Sequence, residues 1–279
     1  MALKEKLGLQ NFDADVLRTL GLMKNGTLNR AAQLLADENN LKESAIDLVM
    51  FGDTEDVFLD RKTICCKSLI TQYREALDFF DQWYKPYEQV VGYYRETRIK
   101  IPREAFREAL ANAIVHRLME MPAAIRIAMY KDRIELTSPG PLPEYLTKEQ
   151  FLEGKVSVLR NMIIAEVFHR LGIIEKSATG VKRIKNEYRS FPESPSFQTT
   201  DSYILINLPC VTYPDNEFEY EVLVVQLSKK HKTITRKEIE VITGLKKSRV
   251  GEILTELVKN KKIIQAGSGR STHYQLPQD

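Results

Sequence analysis

The 279-residue sequence predicts an α+β chain followed by a separate, mostly helical C-terminal domain. Three observations lead there. Between residues 103 and 138 a 3.6-residue apolar period gives way to two alternating runs. A second set of amphipathic helices follows between 160 and 184. From residue 216, three further helical patterns precede two short apolar runs that flank a glycine-rich turn.

The elements follow in order. Residues 13–24 and 28–36 read as helices, 46–51 and 57–63 as strands. Residues 66–83 form a longer amphipathic helix, with Leu69, Tyr73, Leu77 and Phe80 near helical spacing. Residues 88–101 read as one extended strand leading into Pro102, which suits the first turn of the next helix. That helix, REAFREALANAIVHR over 103–117, sets Glu108, Asn112 and His116 four residues apart, one polar stripe opposite Phe106, Leu110, Ala113 and Ile114. A carboxylate one turn from an amide suits a phosphate site: the amide oxygen can ligate Mg²⁺ while the carboxylate holds a water. A solvated helix face is the other reading of the same spacing. AIRIAM (124–129) and RIELTS (133–138) then form a hairpin that ends in Ser138, Pro139 and Gly140. A helix over 160–175 is closed by Gly172, and Ser177-Ala178-Thr179-Gly180 opens another through Lys182 and Arg183. Asn161 reads either as an N-cap or, with Arg160, as part of a phosphate pocket, and Lys182 and Arg183 either approach a polyphosphate or face solvent.

The succession of N-box-like helix, hairpin, SPGPLP, RN helix, ATG and VKRI resembles the ATPase-like domain of a large family of predicted transcriptional regulators, often labelled as RecG-type helicase C-terminal domains. The resemblance covers about 101–210 and extends more weakly back to Leu17. It implies a GHKL-type fold, as in gyrase and the histidine kinases: a sheet with helices packed on one face. It implies a catalytic role for Glu108, Mg²⁺ on Asn112, and ATP contacts through Ser138, Gly140, Thr179 and Gly180; His116, Arg160, Asn161 and Lys182 are further candidate contacts to a bound nucleotide. Ser138 stands where the GHKL enzymes have the aspartate that reads adenine, RNM replaces RNP, and ATG replaces GTG. The domain is therefore read either as nucleotide-binding, with hydrolysis as one option, or as a degenerate dimerisation or sensing scaffold that binds another anionic effector or none. LNRAAQLLA (28–36) resembles the segment that caps the sheet in these regulators. The Schlafen/AlbA-type module of longer members does not precede it, which leaves open a short member or a fragment.

The C-terminal helices cover 219–228, 235–243 and 247–260, with strand-like 262–266 and 272–276 around Gly267-Ser268-Gly269-Arg270, the layout of a winged helix-turn-helix. Thr235 and Glu238 make a capping box, and Gly244 supplies a left-handed stop. Lys246, Lys247, Ser248 and Arg249 lead the helix that would enter a major groove, and Arg270, Thr272, His273 and Tyr274 form the wing. Residues 216–279 hold 12 Lys and Arg against 8 Asp and Glu, and the rest of the chain 29 against 30, so the basic excess lies in this segment. It is modest, which favours avidity from a homodimer on double-stranded DNA.

The expected organisation is an N-terminal α/β cap (1–100), the ATPase-like domain (101–210), a linker (211–217) and the winged helix (218–279). A net charge of +3 and 43% hydrophobic residues describe a globular chain. No secretory h-region and no run of about 20 apolar residues is seen, so a cytoplasmic protein without membrane contact is expected. Cys65, Cys66 and Cys210 form no C-x-x-C pair, and no zinc is expected. The absence of a G-x-x-x-x-G-K-[ST] loop excludes a helicase motor of that class.

Overall fold

The chain opens with α1 (Ala2–Lys6), α2 (Ala14–Thr19), the strands β1 (Met23–Lys24) and β2 (Thr27–Leu28), and α3 (Arg30–Leu35) in a computed structural model that describes residues 2–8, 11–91, 94–156, 158–175, 180–214 and 217–277. Asp13 caps α2 by accepting from the amides of Asp15 and Val16. The helix expected to run on to Lys24 stops at Thr19. Asn25 and Gly26 both take positive φ, 51° and 78°, and close a two-residue hairpin that pairs Lys24 with Thr27. Asn-Gly supplies the left-handed pair that a tight hairpin demands, so turn chemistry overrides the helical period.

The sheet is built from β3 (Ile46–Phe51), β4 (Phe58–Ile64), β7 (Ile125–Met129), β8 (Arg133–Pro139), β9 (Ser196–Thr199) and β10 (Tyr203–Pro209). Between β4 and β7 lie α4 (Leu69–Trp83), the hairpin β5 (Tyr87–Val91) and β6 (Tyr94–Arg98), and α5 (Arg103–His116). Its strand order is β4-β3-β7-β8-β10-β9, antiparallel throughout except for β3 and β7. In β8 the alternation places Ile134, Leu136 and Ser138 on the buried face, in register with Leu208, Ile206 and Ile204 of β10. Helices α4 and α5 cover that face and meet through stacked Phe80 and Phe106, whose ring centres are 4.3 Å apart. On the other face Val49, Phe51 and Ala128 form a small cluster against Tyr130.

After β8 come α6 (Lys148–Glu153), α7 (Met162–Arg170) and α8 (Gly180–Glu187). Thr147 and Gln150 form a capping box at α6, and Gly154 ends it in the left-handed conformation. Buried Arg117, just past α5, donates to the carbonyls of Glu43 and Ala123 and so ties the helix end to two loops.

The chain divides into two compact units, the first comprising Met1–Pro86, Ile99–Glu187 and Pro195–Cys210. The second comprises Tyr87–Arg98, Tyr188–Ser194 and Val211–Asp279. It holds α9 (Glu217–His231), α10 (Arg236–Thr243), α11 (Lys247–Lys259) and the pair β11 (Ile264–Ala266) and β12 (His273–Gln275). Val224, Leu227, Ile239, Val250, Leu254 and Leu257 make its core. Ile234 bridges to Tyr274, adding a third short strand position beside β12. The single strand expected over 88–101 is instead the β5/β6 hairpin, with Val91 opposite Tyr94, and it groups with this second unit. Folding the segment on itself pairs backbone groups that one isolated strand would leave without partners. The Lys230 ammonium donates to the carbonyls of Tyr188, Phe191 and Glu193 at 2.6–2.7 Å, fastening 188–194 to α9. Among the described residues, no helix is long and apolar enough to cross a membrane.

Candidate functional site: a carboxylate-bearing cavity under the sheet

Helix α5 carries the polar stripe. Pro102 starts it, its carbonyl accepting from Ala105 and Phe106 at 3.1 and 3.2 Å, and Phe106, Leu110, Ala113 and Ile114 are buried. Glu108, Asn112 and His116 line a cavity of about 370 Å³, together with Ser138 and Gly180. The rest of its wall is largely aliphatic, from Leu136, Leu142, Leu146, Ile184, Ile204 and others. The stripe is therefore not a solvated face. Glu108 is 5% exposed.

Within the stripe, Asn112 donates from Nδ2 to Glu108 Oε1 at 3.3 Å. Among the described residues, Glu108 Oε2 is buried and accepts no hydrogen bond, and the nearest cation is Arg183, whose Nη1 lies 3.7 Å away. Arg183 also pairs with Glu175. Helix α8 starts against this group: a Cβ on Gly180 would fall 2.4 Å from Asn112 Nδ2 and 3.0 Å from Glu108 Oε1, so a side chain there would push Asn112 away from Glu108. Ser138 donates its hydroxyl to the Ala113 carbonyl at 2.9 Å, which leaves the oxygen as an acceptor toward the cavity. Burial, reinforced by the Arg160 guanidinium, pushes the His116 imidazole down to about 4 from its ordinary 6.5, so it is neutral at pH 7.

Other expected site residues are placed elsewhere. Arg160 donates to the carbonyls of His116 and Pro141 at 3.1 and 2.9 Å. Asn161 precedes α7 without capping it and donates instead to Val115 and Arg117 carbonyls at 2.9 and 2.8 Å. Both clamp the end of α5 and neither lines the cavity. Gly140 ends β8 at φ 104°, packed against Leu118 and Arg160. Lys182 is exposed and off the wall. Thr179 lies outside the described residues. Glu166 and Glu175 line the cavity and were not singled out by the sequence, whose spacing carries no sign that either meets the stripe.

A magnesium nucleotide needs oxygen ligands for the metal and donors for its phosphates. The described residues do not fit it. One Glu108 oxygen already accepts from Asn112, whose amide thereby turns its nitrogen toward the carboxylate. No Lys or Arg is among the described lining residues, whereas Glu108, Glu166 and Glu175 are. The N-terminus of α8 favours an anion, and the Glu108 carboxylate already lies beside it.

In the second unit, Lys246 is the N-cap residue of α11, and Lys246, Lys247 and Ser248 are exposed. Arg249 is partly exposed and pairs with Glu252 at 2.6 Å. Thr272 donates to the Gly269 carbonyl, His273 Nδ1 lies 3.0 Å from the Ser271 carbonyl, and Tyr274 packs against the core. These three stabilise the β11–β12 connection from within. The Arg270 side chain lies outside the described residues.

Residues 123–208 match an HATPase-type family described as "Putative ATP-dependent DNA helicase recG C-terminal". The chain thus carries an ATPase-like domain, and its mixed sheet fits that class. The DIP2311 protein from Corynebacterium diphtheriae, known from its crystal structure, is similar with 22% identity and a TM-score of 0.68, over 99% of this chain and 60% of that one. At this identity the likeness is one of fold, and the chain spans less than two thirds of that relative. No curated protein matches the chain.

Proposed function

We propose that the chain is a DNA-binding transcriptional regulator in which the ATPase-like domain serves as an effector-binding module and the C-terminal helices form a winged helix that reads duplex DNA. The observation that carries this reading is the exposed Lys246, Lys247 and Ser248 cluster leading α11, on a three-helix core followed by a strand pair. A helix whose core face is filled by Val250, Ile253, Leu254 and Leu257 is held rigidly, and its free leading end suits phosphate and base-edge contacts in a major groove. The modest basic excess supports action as a homodimer on a two-fold site. A cavity with an apolar wall and a few convergent polar groups suits a small effector.

The test is duplex DNA binding by the full chain and by a Lys247→Ala/Arg249→Ala variant, at several salt concentrations. The expected result is weaker binding by the variant and a salt slope smaller by about one unit for each phosphate that is no longer neutralised. Equal affinity and equal slope for the two proteins would overturn the reading.

A further inference from the structure

We propose that the cavity of the ATPase-like domain takes a cationic amphiphile, an organic amine with an apolar body, whose ammonium donates to Glu108 Oε2. The inference rests on the reading of this cavity as an effector site and names the chemistry of its ligand. Glu108 is 5% exposed, lines the cavity, and carries a carboxylate oxygen with no hydrogen-bond donor among the described residues. A buried carboxylate oxygen in that condition is a strong acceptor that lacks a hydrogen-bond donor. Arg183 lies 3.7 Å from it, beyond hydrogen-bond distance, and also pairs with Glu175. Glu166, the third carboxylate of the wall, accepts from Arg170 at 3.0 Å. Among the described residues three carboxylates line the wall and no Lys or Arg does, the Arg160, Arg170 and Arg183 guanidinium groups standing off it. An ammonium suits such a lining, whereas a polyphosphate meets carboxylates and no cation on it. The aliphatic wall supplies the surface for the apolar body, and the Ser138 oxygen offers a second acceptor on the same face. His116 remains neutral at pH 7 and does not offset the charge.

The experiment is isothermal titration of the full chain with three probes: phenylbutylamine, phenylbutyrate and Mg-ATP. The amine and the acid share ring and chain length and differ in the sign of the charged end. The expected result is binding of the amine at least about tenfold tighter than either anion, the size of one charge-assisted hydrogen bond. Glu108→Gln should reduce amine affinity by a similar factor. Should that buried substitution fail to fold, Val156→Trp serves in its place: Val156 is 46% exposed on the cavity wall, and an indole there should block entry of the amine. Tighter binding of phenylbutyrate or Mg-ATP, no amine binding, or amine binding unaffected by Val156→Trp would each overturn the proposal. DNA binding measured on the same samples separates the two readings. Amine binding without DNA binding supports this ligand class and sinks the regulator; DNA binding without amine binding does the reverse.

Discussion

His116 and Gly140 show how single positions tie the site to stability. The folded protein holds the His116 imidazole neutral down to about pH 4, while the unfolded chain protonates it near 6.5. The unfolded state therefore binds more protons between those values, and stability present above pH 6.5 is lost as pH falls toward 4, by up to roughly 3 kcal/mol. Urea melts of the wild type and His116→Gln across that window should show a shallower pH dependence for the variant. Parallel curves would place the titration elsewhere. Gly140 is constrained twice: its φ of 104° disfavours any side chain, and a Cβ would fall 2.5 Å from Leu118 Cβ and 2.7 Å from Arg160 Nη1. Gly140→Ala is expected to cost roughly 3 kcal/mol, from left-handed strain plus overpacking. At Gly180 the clash is with the end of the Asn112 side chain, which can rotate, so Gly180→Ala should cost less while separating Asn112 from Glu108. A larger loss at 180 than at 140 would reverse this ranking.

Among the elements, those with a complete local signal were legible in the sequence. Helix α10 carries Thr235, Glu238 and Gly244 in the roles their residue types suggest: the Thr235 hydroxyl accepts from the Glu238 amide, Glu238 accepts from the Thr235 amide at 2.8 Å, and Gly244 turns left-handed. Thr235→Ala should lower stability by about 1 kcal/mol in thermal melts, and no change would mean that core packing alone sets the helix start. Helix α5 and strands β7 and β8 were equally legible, since their apolar residues keep one period throughout. The β1/β2 hairpin was missed although Asn25-Gly26 announced it, because the neighbouring apolar residues also fit a helical repeat. The Glu108–Arg183 pair was hidden for a different reason. Two residues on separate helices meet only through tertiary packing, and no spacing within either helix encodes the meeting. The Lys230 clamp is of this kind too. Lys230→Met removes a charged donor from three carbonyls and is expected to cost roughly 2–3 kcal/mol, more than Thr235→Ala. A smaller loss would show that those carbonyls are readily satisfied by water.

For the whole molecule, the sheet order matters most. The parallel pairing of Ile46–Met50 in β3 with Ile125–Met129 in β7 joins segments roughly 80 residues apart and lies inside the sheet. The region matched by the family begins at residue 123, so it contains β7, β8, β9 and β10 but neither β3 and β4 nor α5. Cut out at those limits, the polypeptide would leave one whole side of β7 without hydrogen bonds and the apolar face under α5 uncovered. Such an edge recruits another like itself. A 123–208 polypeptide should therefore elute from a sizing column as large assemblies without a cooperative melt, whereas a single sharp transition from a monomer would mean that the four strands suffice. The stretch that sequence comparison detects as a unit of descent is shorter than the stretch that must collapse together, and newly made chain reaching β10 would still depend on strands synthesised long before.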